Sequence, residues 1–200
     1  MKTIALAFTG ASGLPYGLRL LECLLKSGQR VWLTYSQAAQ IVAKQEVDMV
    51  LPSQPREAQR ALLEKVGIPD GQLTVYGRDD WNAPMASGSN PPDAYVICPC
   101  TNGTLAKVAA GMADDLLTRA ADVVLKEGRK LILVPRETPL SAIALENMLR
   151  LSRAGAVILP PNPAFYHHPT DIQGVVDFVV ARILDQLGVE HQLMARWGDA

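Results

Sequence analysis

A turn rich in glycine and serine follows the first apolar run of the chain, in the segment LAFTGASGLPYG (residues 6–17). A turn of this kind leads from a buried strand into a helix, and the free N–H groups at a helix N-terminus bind anions. Gly10 and Gly13 let the backbone approach a ligand closely, while Ser12 either caps the helix or donates to a ligand oxygen. The segment predicts a phosphate-binding turn or a purely structural helix start, and the motif alone does not decide between them.

The spacing of the glycines argues against a dinucleotide. They lie at positions 10, 13 and 17, which does not match the G-x-G-x-x-G fingerprint of NAD-binding domains. Leu14 and Tyr16 occupy the glycine positions of the short-chain dehydrogenase pattern. The second apolar run, RVWLTYS, ends in Tyr35-Ser36 rather than in the acidic residue that would bind an NAD ribose. The turn therefore favours the phosphate of a mononucleotide.

Polar residues also follow three later apolar runs, as the segments Thr101–Thr104, Pro135–Glu137 and Pro160–Tyr166. In open α/β sheets, ligands bind outside the carboxyl ends of the strands. These small, hydroxylated and charged residues therefore predict an anion-binding rim. Arg136 stands out because it lies at a strand end, whereas isolated charges on helices are usually solvated.

Apolar runs alternate with helical patterns along the whole chain. The predicted strands are Ile4–Phe8, Arg30–Tyr35, Gln72–Tyr76, Ala94–Cys98, Lys130–Val134 and Ala156–Leu159. The predicted helices are Gly13–Lys26, Gln37–Gln45, Pro55–Val66, Thr101–Ala110, Ala113–Glu127, Leu140–Arg153 and Asp171–Leu187. This alternation predicts a single α/β domain over residues 1–200, with a parallel sheet covered by helices on both faces.

Composition narrows the classes of partner. The formal net charge is -1, and no long Lys/Arg cluster occurs, so neither nucleic acid nor a membrane surface is predicted as a partner. No apolar stretch is long enough to span a bilayer, and the short apolar start is interpreted as a strand rather than a signal peptide.

The three cysteines, Cys23, Cys98 and Cys100, predict reduced thiols in a cytoplasmic protein. No histidine or further cysteine lies near Cys98 and Cys100, so no metal site is predicted.

Five segments carry a resemblance to a known family: TGASGLPYG, ASGS, ICPCTNGTLAKVAAG, LLTRAADVVLKEGRKLILVPRETPL and GAVILPPNPAFYHHP. Together they extend along nearly the whole chain, and the run from Leu116 to Leu140 is the most specific of them. The sequence resembles the flavin prenyltransferases, the UbiX-like members of the FMN-binding flavoprotein superfamily.

The resemblance implies a Rossmann-like, flavodoxin-like domain that binds FMN. It implies an enzyme that joins the dimethylallyl group of dimethylallyl phosphate to N5 and C6 of reduced FMN, without a metal ion. The prenylated FMN would serve UbiD-type decarboxylases, including the one of ubiquinone biosynthesis. Members of this family assemble as homododecamers, and FMN lies between their subunits.

The resemblance also implies roles for individual residues. FMN would be held by Gly10, Ala11, Ser12, Ser36, Thr101, Asn102, Gly103, Thr104 and Arg136. Dimethylallyl phosphate would be bound by Trp81, Ser87, Gly88, Arg119, Lys126, Arg136, Glu137, Tyr166 and Arg182. The catalytic residues would be Ser12, Glu46, Lys126 and Glu137. Ser12 and Glu46 would form a hydrogen-bonded pair near the flavin N5, and Glu137 would help proton transfer.

Further expectations concern the arrangement of these residues. Because departure of a phosphate develops negative charge, cationic side chains would stabilise it. The resemblance implies that the four cations Arg119, Lys126, Arg136 and Arg182 form one anion site. Trp197 would pack at the site of a neighbouring subunit.

Two rival functions remain open at this stage. FMN proteins that decarboxylate peptidyl or phosphopantothenoyl cysteine use a histidine early in the chain, but every histidine here lies at position 167 or later. A flavin carrier without catalysis would explain the polar turns. It would not explain why Lys126, Glu137, Tyr166 and Arg182 occur together.

Overall fold

The computed structural model describes residues 1–195 and residue 198. Trp197, for which a contact with a neighbouring subunit was predicted, lies outside the described residues. Within the described part of the chain, none of the helices has the length and apolar character needed to cross a membrane.

The described residues form six strands and seven α-helices, with one or two helices following each strand but β3. The strands are β1 Thr3–Phe8, β2 Arg30–Tyr35, β3 Leu73–Val75, β4 Ala94–Cys100, β5 Lys130–Pro135 and β6 Val157–Ile158. The helices are α1 Leu14–Lys26, α2 Gln37–Val47, α3 Pro55–Val66, α4 Asn102–Ala109, α5 Leu116–Lys126, α6 Ala142–Arg153 and α7 Ile172–Leu187. A 3₁₀ turn, Pro84–Ala86, lies in the segment between β3 and β4.

The sheet is parallel throughout, with the strand order β3-β2-β1-β4-β5-β6. This is the doubly wound Rossmann order, in which the chain switches direction across the sheet between β1 and β4. The predicted parallel α/β sheet is confirmed. The switch point opens a crevice at the carboxyl ends of the two central strands, which is where ligands bind in such sheets.

Each face of the sheet is covered by its own core. The leucines at positions 14, 18, 21 and 25 recur at helical spacing in α1, and all four are buried against one face of the sheet. Residues of α3 and α7 belong to the same core. Residues of α4, α5 and α6 cover the opposite face, together with Met85 of the 3₁₀ turn. Because both faces are covered, the inner strand residues are almost entirely apolar and fully buried.

Several boundaries differ from the sequence prediction by one to three residues. β4 continues to Cys100 rather than ending at Cys98, with an irregular register between Ile97 and Cys100. α5 begins at Leu116 rather than Ala113, because Asp115 and Thr118 form a reciprocal capping box. α6 begins at Ala142, since the Ser141 hydroxyl accepts a hydrogen bond from Ala144 N and caps the helix there.

Candidate functional site

The turns that follow β1, β4 and β5 are joined into one rim at the carboxyl edge of the sheet. Thr9 Oγ1 donates to the carbonyl oxygen of Pro99 at 2.7 Å and accepts from Thr101 N at 3.0 Å. Arg136 Nε donates to the carbonyl oxygen of Ser12 at 3.3 Å. These bonds fix the three turns against one another, so the switch point has a preformed polar wall.

Thr9 belongs to the rim, although the sequence analysis predicted no role for it. It is buried, and its hydroxyl is the link between the turns after β1 and β4. Its position directly after a strand was the available signal, since hydroxyl residues at strand ends were already interpreted as part of the rim.

Glu46 occupies the N-terminus of α1. Its Oε2 accepts hydrogen bonds from Gly13 N at 3.0 Å and Leu14 N at 2.9 Å. Position 13 requires glycine because its φ is +117°. A carboxylate is favourable there because the helix dipole places positive charge at this end. The first amides of α1 are therefore not free to bind a phosphate.

The predicted hydrogen-bonded pair of Ser12 and Glu46 is not formed within the described residues. Glu46 binds the backbone immediately after Ser12 instead, and Ser12 itself is exposed. The two side chains thus belong to the same turn. Their proposed catalytic roles remain predictions.

Several backbone N–H groups of the rim have no hydrogen-bond acceptor in the described part of the chain. They belong to Gly10, Ala11, Ser12, Asn102 and Gly103. The side-chain oxygen of Asn102 is also buried without a partner there. Buried polar groups are normally hydrogen-bonded, so the buried Asn102 oxygen suits a ligand donor. The free amides can donate to the acceptors of the same ligand. A flavin with its phosphate chain has that chemistry.

Two hydroxyls complete the rim by capping helices. Ser36 Oγ accepts from Ala39 N at 3.3 Å at the start of α2. Thr101 Oγ1 accepts from Thr104 N at 3.0 Å at the start of α4, and it donates to Thr104 Oγ1 at 2.9 Å. These caps aim the first amides of α2 and α4 at the carboxyl edge, where anions bind favourably.

Arg136 and Glu137 follow β5 and are both exposed at the rim. The Asn102 side chain donates to Glu137 Oε2 at 3.4 Å, and Glu137 Oε1 accepts from Thr138 N at 3.1 Å. A cation and a carboxylate therefore stand side by side, next to the unpartnered amides. This pairing can bind a phosphate and exchange a proton at one place.

Another group of predicted substrate residues lies at the opposite edge of the sheet. Lys126 ends α5, four residues before β5 begins, and it forms an ion pair with Glu127. A side chain at Gly88 would collide with the ends of both, so the Ser87-Gly88 turn lies directly against them. Arg119 Nε donates to the carbonyl oxygen of Ala86 at 3.0 Å, in the residue before that turn.

Tyr166 and Arg182 form a third group, on the face covered by α1 and α7. They line a cavity of about 340 Å³ together with Phe178, Asp185 and His191. Arg182 is exposed and donates to Asp185 Oδ2 at 2.7 Å, while His191 lies 3.2 Å from the other oxygen of Asp185. Asp185 and His191 were not predicted, because nothing in the sequence places residue 191 beside α7.

The four predicted cations do not meet within a single copy of the chain. Arg136 follows β5 and Lys126 precedes it, so the six-residue strand separates them by roughly 20 Å. Arg182 lies on the opposite face of the sheet from Arg119 and Lys126. Trp81 is 51% exposed, in the segment between β3 and β4. One shared anion site would therefore require residues from more than one copy.

Within the described residues, no group of three or more His, Cys, Asp or Glu side chains is placed to hold a metal ion. Cys98 belongs to the core on one face of the sheet and Cys100 to the core on the other, so the two thiols cannot bind one ion. Burial raises the pKa of Cys23 to about 11 and raises the pKa of Cys98 and of Cys100 well above the ordinary thiol range.

We therefore expect Cys98 and Cys100 to be unreactive in the folded protein. The thiolate is the reactive species, and both thiols are fully buried and protonated at neutral pH. Titration with a chromogenic disulfide reagent at pH 8 should leave both unmodified, whereas unfolding in guanidinium should expose all three cysteines. Rapid modification of Cys98 or Cys100 in the native protein, identified by peptide mapping, would contradict this placement.

This chain is similar to known proteins over nearly its whole length. The sequence profile of the family described as Flavoprotein matches residues 1–184. A curated relative from Pseudomonas aeruginosa, the flavin prenyltransferase UbiX, is 55% identical over 198 residues, which cover 99% of this chain and 95% of the relative.

Two crystal structures share the fold over almost the full length. A dodecameric FMN-dependent UbiX-like decarboxylase from Escherichia coli O157:H7 is 42% identical, with a TM-score of 0.84 and 98% of each chain covered. AnUbiX in complex with FMN and dimethylallyl pyrophosphate is 39% identical, with a TM-score of 0.86, and covers 98% of this chain and 97% of its own.

Proposed function

Because this chain belongs to the Flavoprotein family and, within it, to the UbiX-type flavin prenyltransferases, we propose that it prenylates reduced FMN. The dimethylallyl group would pass from dimethylallyl phosphate to N5 and C6 of the flavin. The observation that carries this proposal in the structure is the row of unpartnered amides beside Arg136 and Glu137 at the carboxyl edge.

FMN would be held by the rim residues whose polar groups lack partners. These are Gly10, Ala11, Ser12, Asn102 and Gly103, with Ser36, Thr101, Thr104 and Arg136 completing the set. The N-termini of α2 and α4 are the sites that suit its phosphate, because Glu46 already occupies that of α1. When bound, reduced FMN supplies the electron-rich ring that accepts the prenyl group.

The basic residues would bind the phosphate of the donor and stabilise it as it leaves. Breaking the allylic C–O bond sends the electron pair to the phosphate oxygen, so fixed cations lower the barrier. Arg136 would act from the rim, whereas Ser87, Gly88, Arg119 and Lys126 would come from α5 and the neighbouring Ser87-Gly88 turn of another copy. Tyr166 and Arg182 would come from the face formed by α7, and Trp81 would wall the prenyl group.

Two carboxylates would handle protons. Glu46 is anchored beside Ser12 and would accept the proton that leaves the flavin as the new bond forms, with the Ser12 hydroxyl as the link. Glu137 lies next to Arg136 at the rim. It would exchange a proton with the departing phosphate, or with a carbon of the bond to C6 that closes the new ring. Both tasks require groups within hydrogen-bond reach of the reacting atoms.

The assembly, partner and location belong to the same proposal. Because the predicted residues of one site lie on three surfaces of the chain, a homo-oligomer is needed, and the dodecameric relative makes a dodecamer the expected form. The prenylated FMN would pass to a UbiD-type decarboxylase. Three free thiols are compatible with work in the reducing cytoplasm.

Two other functions are less well supported. A cysteine decarboxylase of this superfamily would use an early histidine, and the first histidine here is His167. A flavin carrier would need the rim alone, and it would leave Lys126, Tyr166 and Arg182 without a role.

The partner is tested with the reaction product. The protein is incubated anaerobically with reduced FMN and dimethylallyl phosphate, and the small-molecule filtrate is added to an apo UbiD-type decarboxylase. We expect decarboxylation with this filtrate and none with a matched filtrate prepared without the prenyl donor. A parallel incubation with dimethylallyl pyrophosphate identifies the preferred donor. Failure of every filtrate to activate the decarboxylase would contradict the proposed partner.

A further inference from the structure

His167 lies in a cluster of three aromatic rings between β6 and α7. Its imidazole stacks on the Phe178 ring, with centroids 5.4 Å apart and an interplanar angle of 11°. Tyr166 meets both rings edge to face, at 5.6 Å from His167 and 6.1 Å from Phe178. The cluster therefore fastens the irregular segment that carries Tyr166 to the side of α7.

The imidazole makes this contact without using its nitrogens. Both Nδ1 and Nε2 are buried, and neither has a hydrogen-bond partner within residues 1–195 and 198. The ring is also absent from the described lining of the neighbouring cavity, which includes Tyr166, Phe178 and Arg182. Within the described residues, the imidazole therefore contributes ring contacts and no polar contact.

Phe178 connects the ring cluster to the predicted phosphate residues. It lies four residues before Arg182 on α7, so the two side chains share one face of the helix. Tyr166, held against Phe178, is thereby placed at a fixed position relative to the Arg182 guanidinium. Offset and edge-to-face aromatic contacts of this kind have a defined geometry, which makes them suitable for positioning.

We infer that His167 is a positioning residue that acts as an aromatic ring and holds Tyr166 in register with Arg182 for binding the donor phosphate. This inference rests on the proposed function for the identity of the donor. The ring contacts and the two unpartnered nitrogens carry it structurally. It assigns the imidazole no proton transfer, so replacing His167 with another aromatic ring should preserve its role.

The test compares two variants of the full chain with a matched control. His167→Phe keeps a stackable ring and removes the unpartnered nitrogens, whereas His167→Ala removes the ring. The control is His168→Asn, because His168 is exposed, takes a positive φ of 51° that asparagine tolerates, and makes no ring contact with the cluster within the described residues. Steady-state kinetics are measured anaerobically with reduced FMN and varied dimethylallyl phosphate.

We expect His167→Ala to raise KM for dimethylallyl phosphate by about tenfold, the order expected for loss of two ring contacts, with kcat changed by less than about threefold. His167→Phe and His168→Asn should stay within about twofold of the parent in both constants. FMN affinity should be unchanged in all three. If His167 only stabilised the fold, His167→Ala would lower stability without raising KM more than it changes kcat.

A second readout does not depend on turnover. Hydrogen exchange of the peptide covering residues 162–171 should accelerate by about tenfold in His167→Ala and stay unchanged in His167→Phe. If the parent protein lacks prenyl transfer, the proposed function fails while this result still decides the inference. Impairment of His167→Phe equal to that of His167→Ala would overturn it, because a nitrogen would then be required. Unchanged exchange in His167→Ala would also overturn it.

Discussion

Replacing Glu46 with glutamine is expected to slow prenyl transfer by about 10²- to 10⁴-fold, the range for loss of a general base, while FMN stays bound. One carboxylate oxygen, Oε2, accepts from both Gly13 N and Leu14 N. The amide oxygen of a glutamine can occupy the same position and keep both bonds, while its amide nitrogen would replace Oε1 and lose the third contact, that of Oε1 with Gly13 N at 3.1 Å. The substitution therefore removes the proton acceptor and leaves the turn in place.

Glu46→Ala is the matched comparison, because it removes the acceptor as well as the proton-accepting group. Loss of this helix cap should cost about 1 kcal/mol of stability and weaken FMN binding, since residues 10–13 are no longer fixed. Single-turnover rates, flavin affinity and thermal unfolding are measured for both variants. Full turnover in Glu46→Gln would show that Glu46 only holds the turn, and the assigned proton transfer would be wrong.

Gly17→Ala is expected to destabilise the fold by about 3 kcal/mol, the upper part of the range for overpacking a core. A methyl group there would lie 2.5 Å from the carbonyl oxygen of Cys98 and 2.7 Å from Cε1 of Phe8. Phe8 is fully buried and the carbonyl belongs to β4, so neither neighbour can move without displacing the sheet. α1 would have to shift away from the switch point.

The effect is measured as the midpoint of thermal unfolding followed by circular dichroism. A loss of this size should lower the midpoint by roughly 6 to 12 °C in a chain of this length. Gly77→Ala is the control, because a methyl group there meets only Pro55 Cγ at 3.8 Å, an ordinary contact. Equal midpoints for the two variants would mean that α1 packs less closely on β1 and β4 than the structure shows.

The sheet and its rim could be predicted because they follow from local patterns. Apolar runs separated by helical spacing give the parallel sheet, and the rule that ligands bind at strand carboxyl ends gives the positions of Thr101 and Arg136. The helix starts were less accurate. Ser141 and Asp115 cap α6 and α5 at positions that the apolar pattern alone does not mark.

The grouping of the cations was the main departure from expectation. Lys126 closes a helix four residues before a strand begins, so it must lie at the amino edge, while Arg136 follows the same strand and lies at the carboxyl edge. This separation is already contained in the order of the elements. The expectation of one site came from resemblance, which relates residues in an assembly and does not state which copy supplies each.

Other parts of the site depend on contacts between distant segments. Glu46 reaches the N-terminus of α1 from 33 residues further along the chain, and no local pattern indicates that contact. The meeting of Tyr166 with Phe178 depends on the path of an irregular segment rich in proline. Sequence periodicity describes helices and strands, and it carries little information about such paths.

The central claim is tested most directly by the mass of the flavin after anaerobic incubation of this protein with reduced FMN and dimethylallyl phosphate. The account predicts a flavin heavier by one dimethylallyl unit, formed only when protein, reduced FMN and donor are all present. FMN recovered unchanged in mass, although bound to a folded oligomer, would contradict prenyl transfer and favour a flavin carrier or a decarboxylase of the same fold.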